Sequence, residues 1–207
     1  MFALTDNDLR RRILGCGDGP AAFNAQATRR GARVTSCDPL YEFSAQEIRE
    51  RIAATANDVL EQTRRNRDEF VWGEITSLEH LQRLRMSAMD DFLADYETGR
   101  NAGRYIAAGV PSLPFQTASF DLAVCSHFLF LYSEQLGRQF HQEAILELCR
   151  VADEVRIFPL LALGGALSPH IAGTIAVLED LKFAVAIERV SYEFQRGGNE
   201  MMRIRKR

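Results

Sequence analysis

The chain has 207 residues, 46% of them hydrophobic and 26% charged, with a formal net charge of −3. That mixture suits a single globular domain over 1–207 with a full core, and it leaves no overall basic field to draw a nucleic-acid backbone. No apolar run is long enough to span a membrane, no signal-peptide core follows Met1, and Cys16, Cys37, Cys125 and Cys149 form no CxxC pair, so a cytoplasmic protein without disulfides, metal or membrane partner is expected.

In chain order, Arg12 to Gly17 reads as a short apolar strand that runs into glycines. Pro20 to Arg30 reads as a helix, with proline just inside its start and Gly31 just past its end. Ala32 to Cys37 is a second strand closed by Asp38-Pro39, which completes a βαβ unit with parallel strands. Ser44 and Glu47 have capping-box spacing and open a helix with Ile48, Ile52, Val59 and Leu60 on its apolar face. The pattern breaks over Asn66 to Gly73. A second helix from Ser77 to about Tyr96 carries Leu78, Leu81, Leu84, Met89, Phe92 and Leu93. The stretch is far longer than a crossover requires, so 44–103 is expected to be a helical insertion that caps the sheet.

Arg104 to Ala108 is the third strand and Phe120 to Ser126 a strongly apolar fourth. Glu134 to Arg150 reads as a helix and Glu154 to Leu160 as the fifth strand. Ser168 to Leu181 is a helix with Ser-Pro as cap and first residue. Ala184 to Glu193 and Glu200 to Arg205 are two strands joined across a glycine-rich connection short enough to make them antiparallel. The basic run Arg203 to Arg207 reads as the solvated end of a terminal strand.

Two features carry chemistry. Ile13-Leu14-Gly15-Cys16-Gly17-Asp18-Gly19-Pro20 takes a strand into a helix through closely spaced glycines, where backbone can approach a ligand and free N–H groups are on offer. The string Gly17-x-Gly19-x-x-Ala22 also satisfies the dinucleotide fingerprint, and a tight turn without a ligand is the plainer alternative. Asp38, at the end of the second strand, suits both hydroxyls of a ribose, although aspartate before proline also starts turns.

The passage Leu113-Pro114-Phe115-x-x-x-Ser119-Phe120-Asp121-Leu122-Ala123-Val124 resembles the one that joins the third and fourth strands of class I S-adenosylmethionine-dependent methyltransferases. The glycine turn resembles their first motif, Asp38 their ribose-binding acid, and the closing hairpin their last two strands. The strings Ser126 to Tyr132 and Glu154 to Leu160 resemble an uncharacterised bacterial group of such enzymes. The resemblance implies a Rossmann-like α/β fold, doubly wound, with a seven-stranded, mostly parallel sheet and an antiparallel last strand. It implies S-adenosyl-L-methionine as cofactor. Gly15, Cys16, Gly17 and Gly19 would line its methionine and ribose, Asp38 would hold the ribose, and Pro39 or Leu40 would pack on adenine. Ser126 and His127 would lie under the sulfonium. The acid that many relatives carry after the third strand is missing from Ala107-Ala108-Gly109-Val110, so backbone near Gly109 and Val110 would serve adenine instead.

His127, at the C-terminal end of a central strand, is the candidate catalytic side chain, because imidazole can take a proton from a nucleophile near neutral pH. A histidine hydrogen-bonded to backbone under the loop is the alternative. His80, His141 and His170 read as structural or solvated, and Tyr132 and Tyr192 as core. Trp72 reads as a plug of the insertion onto the sheet. Arg156 needs a partner inside its strand, with Glu188 as the guess. A small-molecule methyl acceptor is expected. A non-catalytic cofactor-binding protein and a nicotinamide-dependent oxidoreductase are the other readings, and the acceptor and the oligomeric state stay open.

Overall fold

The structure, a computed structural model, describes residues 1–206; Arg207, the last of the basic run, lies outside the described residues. The elements are α1 (Asp6–Leu9), β1 (Arg12–Cys16), α2 (Phe23–Arg29), β2 (Arg33–Cys37), α3 (Ala45–Arg65), α4 (Leu78–Asn101), β3 (Tyr105–Ile106), β4 (Phe120–Ser126), α5 (Arg138–Val151), β5 (Ala152–Phe158), α6 (Ile171–Asp180), β6 (Phe183–Arg189) and β7 (Glu200–Lys206). One seven-stranded sheet has the order β3-β2-β1-β4-β5-β7-β6. Every pair is parallel except those made by β7, which runs antiparallel to both β5 and β6. This is the mostly parallel sheet with an antiparallel last strand that the sequence implies.

The central strands are buried on both faces, which is why β1 and β4 are mostly apolar, while buried β5 carries Glu154 and Arg156 as a paired couple. Leu14, Cys16, Ala123, Cys125, Val155 and Ile157 face α5 and α6. Their alternates Ile13, Val34, Leu122 and Val124 face α2 and the segment before β1. All four cysteines are buried and unpaired, as small apolar fillers.

Several boundaries move. Helix α2 begins at Phe23, not Pro20, because the Ala21 amide bonds back to Gly19 O at 2.9 Å and holds a tight turn. Helix α5 begins at Arg138, capped by Gly137, because residues after Phe128 first wind through separate turns, with Tyr132 N to Phe128 O and Leu136 N to Tyr132 O. Helix α6 begins after His170 rather than at Ser168-Pro169; Ser168 Oγ accepts the His170 amide at 3.3 Å before the helix. Strand β3 keeps only two of its five expected residues.

Helices α3 and α4 pack on each other and on the rim of the sheet. The Ser44–Glu47 capping box forms, and Ile48 and Ile52 are buried against Tyr41, Phe92, Tyr96 and Tyr105. Leu84 lies 46% exposed, off the packed face. Asp95 of α4 pairs with Arg104 at 2.7 Å, and Asp91 binds Gln26 and Arg29 of α2. Between the helices the chain reaches the β6–β7 loop, where Val71 N bonds to Phe194 O at 2.7 Å and Arg196 N to Glu69 O at 2.7 Å. Trp72 packs there on Phe70 and Phe194. The β6–β7 loop lies beyond the C-terminal end of β6, so this link crosses the same end of the sheet from which the glycine turn emerges.

Arg156 does not meet Glu188. Its guanidinium binds both carboxylate oxygens of Asp8, at 3.0 and 3.2 Å, and Glu154 Oε1 at 2.7 Å. Glu188 instead pairs with Arg203. Arg156 and Glu188 lie two strands apart with β7 between them, and the partner that reaches Arg156 comes from α1.

Candidate functional site

The chain moves outward from β1 to β2 and β3 and then returns to β4, so β1 and β4 flank a switch point at which open α/β sheets bind ligands. There β1 ends in the glycine turn. Gly17 has φ +69° and a Cβ on it would come within 2.9 Å of the Phe128 ring. Gly19 has φ +56° and open space where a Cβ would project. Side chains other than glycine are disfavoured at both. The turn exposes backbone at Gly19, while Phe128 lies against Gly17. The Cys16 side chain points into the core, so this residue can offer only backbone to the crevice.

Asp38 caps a 3₁₀ turn over Pro39–Glu42, and Oδ1 accepts the Leu40 amide at 2.8 Å. Its Oδ2 accepts the Gly19 amide at 2.8 Å. The carboxylate thus does turn work at β2 and braces the glycine turn of β1, and each oxygen keeps acceptor capacity for a further donor. Tyr41 adds a second brace, its hydroxyl donating to Gly19 O at 2.8 Å. Pro39 is exposed and Leu40 half-buried. A Cβ on Gly109 would come 3.2 Å from Pro39, so these two walls stand close. The Val110 side chain is buried in the core, which leaves its backbone alone to face a ligand.

Ser126 ends β4, and His127 follows it. His127 holds φ +51°, a left-handed conformation costly for a side chain with a Cβ. Its amide is tied to Phe158 O at 2.7 Å, and the ring stands edge-on to Phe158. Nδ1 lies 2.7 Å from Ser126 Oγ. Surrounding protein lowers the His127 pKa, chiefly by desolvation, then through the Met1 amino group and Arg85. The imidazole is therefore largely neutral at pH 7, and in the tautomer that donates Nδ1–H to Ser126 the Nε2 lone pair is free to act as a base. Tyr132 is 38% exposed rather than in the core, while Tyr192 packs half-buried on Phe158. His141 is fully buried with its ring nitrogens on Gly137 O and Leu129 O, and His170 binds Ser133 O; both are structural.

Sequence reasoning missed Asp18, which looks like an ordinary solvated turn acid. Its carboxylate folds back over Gly15, where any Cβ would collide with it, and accepts Ser36 Oγ at 2.5 Å. Burial pushes its pKa up to about 7, against the Ser36 hydrogen bond and with a further raise from Asp38. The folded chain thus keeps a proton on Asp18 that the unfolded chain releases near its ordinary value of 3.8. Asp18 should make stability fall as pH rises from about 4 to about 7 and then level off. The Asp18→Asn variant should match the parent near pH 4 and exceed it in melting temperature at pH 8. Equal melting temperatures at both pH values would show that Asp18 is solvated.

Among the described residues, no group of three or more His, Cys, Asp or Glu could hold a metal ion, and no helix is long and apolar enough to cross a membrane.

No family model matches the chain. The uncharacterized protein MJ0045 of the archaeon Methanocaldococcus jannaschii is 34% identical over 208 residues, which cover 100% of this chain and 90% of that one. This relative is archaeal, whereas the sequence strings resemble a bacterial group. Magnesium protoporphyrin IX methyltransferase from Synechocystis PCC 6803 superposes with a TM-score of 0.52 both with bound SAM and with bound SAH, at 11% and 13% identity. The match covers 98% of this chain and 73% or 77% of that one. The chain therefore belongs to the family of MJ0045, and it has the fold of class I S-adenosylmethionine-dependent methyltransferases.

Proposed function

We propose that the protein binds S-adenosyl-L-methionine in the crevice between β1 and β4 and transfers its methyl group to a small molecule. The observation that carries this reading is the joint end of β1 and β2, where Asp38 braces the glycine turn and keeps acceptor capacity toward the crevice. Gly19 leaves open space that a cofactor could fill. The Gly15–Gly19 backbone would line the methionine and ribose, Asp38 the ribose hydroxyls, and Pro39, Leu40, Gly109 and Val110 the adenine. The Synechocystis enzyme, which has this fold, was crystallised with SAM and with SAH.

The bound cofactor supplies an activated methyl group, so the chain's own task is to align a nucleophile, exclude water and accept a proton. His127 suits the last task, being neutral and held in an unusual backbone conformation at the crevice. Helices α3 and α4 with their link to the β6–β7 loop act as the cap that keeps water out.

Incubating the protein with methyl-labelled S-adenosylmethionine and a small-molecule extract should yield labelled product. His127→Gln should slow the labelling by roughly 100- to 10,000-fold, the usual scale for a general base. An unslowed His127→Gln variant would remove His127 from the chemistry, and the absence of any transfer would remove the enzyme reading.

A further inference from the structure

Gly19 is fixed by hydrogen bonds rather than by packing. No atom beyond its chain neighbours lies within 4 Å of the point where a Cβ would project, and its φ is +56°. Glycine has many conformations to choose from, so the polar contacts select this one. The Gly19 amide donates to Asp38 Oδ2 at 2.8 Å, and its carbonyl accepts the Ala21 amide at 2.9 Å and the Tyr41 hydroxyl at 2.8 Å. The Ala21 contact is internal to the turn. The other two come from one short segment, Asp38 and the 3₁₀ turn that it caps. What stands behind Tyr41 is the cap. The residue is 1% exposed, with Phe92 and Tyr96 of α4 each 5.9 Å away between ring centroids and Tyr105 of β3 at 5.2 Å. The Tyr96 hydroxyl lies 2.9 Å from both Tyr41 O and Phe43 O, so α4 also holds the backbone that carries Tyr41. A chain of direct contacts thus runs from the inserted helix to the glycine turn. A turn ordered before its ligand arrives spares the entropy of ordering it afterwards.

We propose that Tyr41 is a positioning residue for the cofactor, holding the Gly19 peptide in its ligand-ready orientation, and that helix α4 sets Tyr41 through Tyr96. This assignment rests on the methyltransferase reading, which puts the cofactor's methionine and ribose against the Gly15–Gly19 backbone. The inserted helices then do more than keep water out, because the seating of α4 and the affinity of the turn are linked. Such coupling is reciprocal, so bound cofactor also holds α4 in its seat.

Three variants, each removing one hydroxyl from this aromatic cluster, test it. They are Tyr41→Phe, Tyr96→Phe and, as a control, Tyr105→Phe, whose hydroxyl donates to Asp95 rather than toward the turn. In calorimetric titration with S-adenosylhomocysteine, Tyr41→Phe should bind roughly fivefold more weakly than the parent, the usual scale for one lost hydrogen bond. Tyr96→Phe should bind about threefold more weakly, a smaller loss because it acts through Tyr41. It should cost nothing further in the Tyr41→Phe background, and Tyr105→Phe should bind as the parent does. Hydrogen exchange without ligand reads the turn directly: the Gly19 and Ala21 amides should exchange faster in Tyr41→Phe than in the parent. Unchanged affinity or unchanged exchange in Tyr41→Phe would overturn the proposal. So would an equal loss of affinity in Tyr105→Phe, because general loosening of the cluster would then be the cause. Additive losses in the Tyr41→Phe, Tyr96→Phe double variant would overturn the link from α4. Failure of S-adenosylhomocysteine to bind the parent protein would count against the methyltransferase reading, whereas the exchange comparison still decides whether Tyr41 orders the turn.

Discussion

Arg156→Ala should lower the unfolding free energy by about 3–5 kcal/mol, the usual cost of removing one partner from a buried ion pair. The Arg156 side chain is 4% exposed, and the carboxylates it joins, Asp8 and Glu154, are 9% and 5% exposed. Its Nη1 also donates to Phe2 O at 2.9 Å, which pins the segment before β1 against the sheet. Burial alone would push the Asp8 carboxyl up. Hydrogen bonds from the Thr5 amide, Arg156, the Thr5 hydroxyl and Arg11 outweigh it and hold the pKa well below the usual range. Asp8 therefore adds stability that is present above its ordinary pKa and lost as pH falls through the folded value. Without Arg156, Asp8 keeps only Arg11 as a cation, while Glu154 still has Arg11, Arg203 and Arg205. Urea denaturation at pH 7 should show a lower midpoint at unchanged slope. A loss below 1 kcal/mol would mean that the remaining arginines carry the network.

Asp38→Ala should weaken S-adenosylhomocysteine binding by about 2–3 kcal/mol, roughly 30- to 150-fold, by removing charge-assisted hydrogen bonds to the ribose. The same change frees the Gly19 and Leu40 amides, which now find Asp38 at 2.8 Å each. Asp38→Asn keeps one carbonyl oxygen and should lose less. Calorimetry on variants with parent-like melting temperatures separates binding from folding. A folded Asp38→Ala protein with unchanged affinity would reduce Asp38 to a turn residue.

The sheet was legible because its signals are local. Apolar runs such as Phe120–Ser126 read as buried strands, Ser44 and Glu47 marked a helix start, and the short connection after β6 fixed an antiparallel β7. Helix starts at Pro20, Glu134 and Ser168 were misread because hydrogen bonds between nearby backbone groups hold each segment in turns before its helix begins. The glycine turn and the acid after β2 could be read as a pair, since one βαβ unit brings them together. Asp18 could not. The burial of Asp18 depends on Ser36, a residue of the neighbouring strand. The Arg156–Asp8 pair likewise joins residues 148 positions apart, beyond the reach of any pattern in the chain.

The central claim is that the crevice at the ends of β1, β2 and β4 takes S-adenosylmethionine. Isothermal titration with S-adenosylhomocysteine and, separately, with NADH tests it most directly. The account predicts saturable one-to-one binding of S-adenosylhomocysteine that Asp38→Ala weakens, and no saturable binding of NADH. Binding of NADH, or of neither ligand by folded protein, would contradict it.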